Sequence, residues 1–166
     1  MAGSAMTTSG RWLGRTRRVS AELARPTDSW LAGRIFAWVV FVRVAKYVMP
    51  LRTLVRLISP TPQPGVRDAD RERRITLFSD WASRVVRPAT PGNCLERSLV
   101  AYRYLVDAHA EPRLVIGFRR GEHGVLGHAW VLVDGRPLSD SPAAVAEYHV
   151  AMSFEAGGRV LIDSAR

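Results

Sequence analysis

Beyond His109 the hydrophobic period of this chain changes, and that change constrains its fold more than any other feature. Up to that point apolar residues recur every three or four positions, as on a helix with one buried face. After it they come in short runs, as in strands. Helices first and an antiparallel sheet second is the order of an α+β protein.

The segment 28–49, DSWLAGRIFAWVVFVRVAKYVM, reads as a helix with Asp28 or Ser29 as N-cap. Pro50 ends or kinks it, and PLRTLVRLIS restarts a short helix with proline in its first turn. The Pro-rich stretch SPTPQPGVRD (59–68) is the expected domain boundary, separating an N-terminal helical region (1–60) from a second domain (66–166). The first ten residues are expected to be disordered. Ile75, Phe78, Ala82 and Val85 then mark a further helix, which RPATPG breaks. Leu95, Leu99, Tyr102 and Val106 mark the next. PRLVIGF (112–118) is expected as a strand, RRGEHG as a turn, VLGHAWVLV (125–133) as a strand apolar on both faces, and GRVLID as the last strand.

The formal charge of +9 is unevenly spread: residues 1–60 carry ten Lys/Arg against two acids, residues 91–166 eight against nine. Nucleic-acid binding is not expected from the basic front, because no recognition motif is present and its charges are interleaved with large aliphatics. That mixture suits docking to a partner protein or peripheral contact with an acidic membrane surface. The longest apolar run, IFAWVVFV, has eight residues, whereas a membrane span needs roughly 20. The opening lacks the order of a secretory signal, so a cytoplasmic protein is expected, at most peripheral to the membrane. A single cysteine allows no internal disulfide. The four histidines, His109, His123, His128 and His149, form no H-x-x-x-H pair, so no metal or cofactor is expected.

That cysteine, Cys94, follows Pro-Gly-Asn at the predicted start of a helix. Asn93 is a suitable N-cap, and Glu96, three residues on, completes the pattern of a capping box. At the first helical position the unpaired N–H groups and the helix dipole favour a thiolate. The backbone N–H of Cys94 is then a candidate oxyanion donor; a second donor is required, and the sequence does not name it. His128 sits in an otherwise apolar strand, where an imidazole needs a hydrogen-bond partner. Gly127 before it leaves room for close approach, expected to be by the Cys94 helix. Trp130 shares a face with His128 and, with Gly127 and Asn93, is a candidate wall of the site. Asp140 is the third group. A two-residue loop at Asp134-Gly135 would set His128 opposite Ser141 and turn Asp140 to the other face. A three-residue loop, Val133-Asp134-Gly135, would set His128 opposite Asp140, and the triad therefore predicts that loop. A helix-start cysteine, a strand histidine and an aspartate beyond a hairpin match the chain order of papain-like sites. Arg97 is read as a solvated or substrate-facing charge, and Asp163 as a surface residue.

NCLERSLVAYRYL, LVIGFRRG and GHAWVLVDGRPLSD together resemble the transglutaminase-like cysteine proteases of lasso-peptide biosynthesis. The likeness is narrowest to the stand-alone leader peptidase, and it covers roughly residues 68–150. It implies a papain/transglutaminase-like core with Cys94 as nucleophile, His128 as base and Asp140 as acid. It further implies a ribosomally made precursor peptide as substrate, a separate leader-recognition protein, and an ATP-dependent cyclase that closes a macrolactam on the freed amine. An amidase or acyltransferase of the same fold, or a non-catalytic peptide-binding scaffold, are the alternatives.

Overall fold

A computed structural model describes residues 26–86, 93–122 and 124–161. The opening decapeptide, the RPATPG break and Asp163 lie outside the described residues. Four helices come first: α1 (Pro26–Val48), α2 (Leu51–Ile58), α3 (Ala69–Val86) and α4 (Cys94–Asp107). Then follow β1 (Arg113–Gly121), β2 (Gly124–Val133), β3 (Arg136–Pro137), a one-turn helix α5 (Pro142–Ala146), β4 (His149–Phe154) and β5 (Val160–Leu161). The strands form one antiparallel sheet in the order β3-β2-β1-β4-β5. The α+β order is as the change of period requires.

α1 buries Asp28, Ala32, Ile35, Val39, Val42 and Ala45, one residue per turn along a single face. The helix already includes Pro26, two residues before the expected start, so Asp28 lies inside it and is no cap. Its carboxylate is buried 3.3 Å from Arg74 Nε, which ties α1 to α3. Pro50 separates α1 from α2 as expected, since its ring cannot continue the helix. On α3 the residues Ile75, Phe78 and Ala82 are buried, but Val85 is 48% exposed because the next place on the core face, four residues after Ala82, goes to Val86, which packs against the core.

α4 packs against β2 and buries Leu99, Tyr102, Leu105 and Val106. It ends where His109 adopts a left-handed backbone (φ 58°), with Ala110 N–H bonded to Leu105 O at 3.0 Å and His109 N–H to Val106 O at 3.1 Å. That pair of bonds closes the helix and frees the chain to enter β1, so the change of period has a definite structural cause. Residues from α1, α2, α3, α4 and the sheet, from Ala32 to Phe154, belong to one core cluster. The Pro-rich stretch therefore runs between parts of a shared core. The described part of the basic front is knitted into it: Lys46 Nζ donates to Glu96 Oε1 at 2.8 Å across the α1–α4 contact, and Arg43 lies 3.8 Å from the same oxygen.

β1 and β2 are longer than predicted. Pairing runs to Gly121↔Gly124, so most of RRGEHG is strand. β4 and α5 carried no signal that the sequence reading used. Among the described residues no helix is long and apolar enough to cross a membrane.

Candidate active site

Cys94 is the first residue of α4, as expected, but not through a capping box. Asn93 has a helical backbone (φ −85°, ψ 0°) and makes no side-chain cap. Its amide nitrogen instead donates to Ser83 O at 2.9 Å, pinning the start of α4 to the end of α3. Glu96 is turned away into the contact with Lys46, and only 2% of it is exposed. What remains of the sequence argument is position: the first-turn N–H groups of an α-helix have no acceptor within the helix and favour an anion.

His128 hydrogen-bonds both to the Cys94 thiol and to Asp140. Its Nε2 lies 3.3 Å from Asp140 Oδ1. The structure thus brings together the three residues that the sequence singled out. It does so by a different route. The hairpin has the two-residue loop, Asp134-Gly135, with both residues left-handed (φ 52° and 75°) and Val133 opposite Arg136. This is a type I′ turn, and the three-residue loop is corrected. The ladder itself stops early: Leu138 N–H bonds Val131 O at 2.9 Å, and the next residues bend away. Parity along a strand governs which way a side chain points only while the strand continues. Asp140 is beyond its end and swings back under His128.

Arg97 holds it there. Its Nη2 donates to Asp140 Oδ1 at 3.1 Å and Oδ2 at 2.9 Å, while Nη1 lies 3.8 Å from Asp80 Oδ1. Both the Arg97 and Asp140 side chains are 16% exposed, so Arg97 is an internal strut rather than a solvated charge. Asp80 in turn accepts from Arg84 Nε at 3.2 Å. One sign of this was available beforehand: Arg97 stands three residues, nearly one turn, after Cys94.

The His128 ring lies against Trp130 (centroids 5.8 Å apart, planes 20° from parallel) and Tyr148 (5.1 Å). Trp130, the candidate wall residue, packs on the ring; Tyr148 packs there too, a contact that the sequence reading missed. Gly117 makes the arrangement possible. It faces His128 across the β1–β2 ladder, and a Cβ there would meet His149 O at 2.8 Å and the Trp130 ring at 2.9 Å. Gly127 has a different place from the one expected. A Cβ added to it meets nothing within 4 Å, so no helix crowds it. α4 approaches two residues further on, where Ser98 Oγ donates to Ala129 O at 2.9 Å.

These contacts set the protonation states. The Asp140 bond, then the thiol, push the His128 imidazolium up to about 9 against the opposing effect of burial. Burial works to raise the Cys94 thiol, but the His128 bond, the Ala129 backbone amide and the positive charges of His128 and Arg97 together bring it below its ordinary value. Burial likewise opposes ionisation of Asp140, and His128 and Arg97 outweigh it, so that carboxyl is lowered too. All three shifts favour the charged forms: thiolate, imidazolium and carboxylate.

A cysteine at a helix start, a strand imidazole and a buttressed carboxylate are the groups that cysteine-dependent acyl transfer would need side by side. The family model of the transglutaminase-like superfamily matches residues 35–153, and the chain belongs to that superfamily, whose members are typically cysteine-dependent enzymes. No curated protein and no solved structure matches the chain.

Proposed function

We propose that the chain is a cysteine peptidase that removes the leader from a ribosomally made lasso precursor peptide. The observation that carries the enzymatic part is the Cys94–His128–Asp140 relay, with its imidazolium at about 9 and its thiol lowered. The lasso assignment rests on the likeness of NCLERSL and GHAWVLVDGRPLSD to that family's leader peptidases.

In this mechanism the Cys94 thiolate attacks the last leader carbonyl, and the oxyanion is received by the Cys94 backbone N–H. His128 gives its proton to the departing core amine as the C–N bond breaks, leaving a thioester. Water then attacks the thioester, and His128 takes its proton. The thiolate departs, and the leader is released as a carboxylic acid. Asp140 holds the ring in register throughout and stabilises its charge. The precursor arrives with a separate leader-recognition protein, and an ATP-dependent cyclase consumes the freed amine.

The test is mass spectrometry of precursor peptide incubated with the chain and the leader-recognition protein. Two products whose masses sum to the precursor plus one water are expected, with a rate reduced at least about 1,000-fold in Cys94→Ala. An amine-joined product would make the chain an acyltransferase. Unchanged pathway output with Cys94→Ala would make it a scaffold.

A further inference from the structure

β2 runs past His128 to Gly124, but β3 covers only its far end. In the β1–β2 hairpin Gly121 and Gly124 close a two-residue loop, so the backbone groups of the even-numbered residues of β2 face β1. The odd-numbered ones face the other edge. Val133 and Val131 spend theirs on β3 and Leu138. Ala129 spends its carbonyl on Ser98 and its N–H on the Cys94 sulfur. Gly127 and Val125 are next in line, and among the described residues neither has a backbone partner on that side. Both are exposed, Val125 by 72%, and a Cβ placed on Gly127 would meet nothing within 4 Å.

An unpaired strand edge is a template for another strand, and this one leads directly to the nucleophile. We infer that the substrate binds by strand addition: an extended segment beside the scissile bond pairs its backbone with Gly127 and Val125 of β2, and this delivers the next carbonyl to Cys94. The recognition is of peptide backbone at alternate residues, with affinity from main-chain hydrogen bonds. Leu126, 46% exposed and on the His128 face, gives the pairing segment an apolar neighbour there. Gly127 has no side chain to stand in the way. The inference rests on the peptidase reading for the identity of the peptide, and on the open edge for the mode of binding.

The enzyme-side test is Gly127→Pro. Because the Gly127 N–H takes no part in the β1–β2 ladder, proline removes an edge donor without removing a bond inside the sheet. KM for the precursor is expected to rise about tenfold or more, with kcat changed much less. The rate of Cys94 alkylation by iodoacetamide, measured across pH, reports whether the ion pair survives the substitution and so separates a lost edge from a lost fold. On the substrate side, N-methylation of successive residues flanking the cleavage point is expected to weaken cleavage at alternate positions only. An unaltered KM in a Gly127→Pro protein with intact alkylation, or N-methyl effects without alternation, would overturn strand addition and leave the peptidase standing. Should the wild type cleave no precursor, hydrogen exchange of Cys94→Ala with the precursor added still decides the edge. Protection of the Gly127 and Val125 amides supports it; absence of protection overturns it.

Discussion

Glu96 and Arg97 are neighbours on one turn of α4, both largely buried and both ion-paired, yet they serve different halves of the molecule. Glu96 faces backward to Lys46 and Arg43 on α1. Arg97 faces forward to Asp140 and Asp80. Successive helix residues point about 100° apart, so a single helix can anchor a scaffold with one charge and orient a reactive site with the next. The difference teaches that burial and pairing alone do not mark a functional charge. What a charge touches marks it.

The sharpest way to break this contrast is to remove what the forward side supports. Asp140→Asn keeps the shape but loses the anion that holds His128 protonated. Activity is expected to fall about 1,000-fold or more. The pH profile should change as well. In the wild type the active ion pair exists above the lowered thiol value and below about 9, where His128 deprotonates. In Asp140→Asn the upper limb should move down toward the ordinary 6.5. Stability follows the same linkage. The raised His128 contributes stability that is complete below about 6.5 and lost as pH rises through about 9. The lowered Asp140 contributes stability present above 3.8, lost as pH falls through its folded value. Denaturant midpoints measured across pH should therefore show a wild-type advantage over Asp140→Asn that narrows at both ends. An upper limb that stays near 9 would assign the shift to some other group.

Arg97→Ala and Glu96→Ala set the two directions against each other. Without Arg97 the carboxylates of Asp140 and Asp80 lose their shared cation, and Asp140 is no longer held under the ring. A misplacement of about 1 Å in such a group costs about 100-fold in rate, which single-turnover cleavage would read. Glu96→Ala leaves Lys46, itself 15% exposed, without its partner, at a cost of about 3 kcal/mol in stability. Its rate per folded molecule should be unchanged. If Glu96→Ala instead lowers that rate as much as Arg97→Ala does, the two charges form one network and the contrast fails.

The residues of this site were legible, and their supports were not. Cys94, His128 and Asp140 stood out because a thiol at a helix start, an imidazole in an apolar strand and a carboxylate past a hairpin each need an explanation from sequence alone. The period change located helices and sheet because burial imposes it locally. Arg97 and Tyr148 were missed since local spacing shows that residues share a face but not which element meets that face. The same limit explains Glu96. Its spacing from Asn93 fits a capping box, and a half-buried lysine on a helix 50 residues earlier took the carboxylate instead. The one-turn helix α5 is too brief for any period to establish itself, whereas β5 falls within the expected strand GRVLID.

The smallest expected effect is the most discriminating for how Asp140 is placed. If the ladder positioned it, the turn that fixes the ladder register would control catalysis. Gly135 has φ 75°, and alanine there is strained by about 1 kcal/mol. Since Asp140 lies beyond the paired residues and is held by Arg97, Gly135→Ala is expected to lower the midpoint of unfolding slightly while kcat and the upper pH limb stay where they were. A turn mutation that instead shifted that limb would mean that hairpin register reaches His128 after all, and that Arg97 only follows a carboxylate already in position.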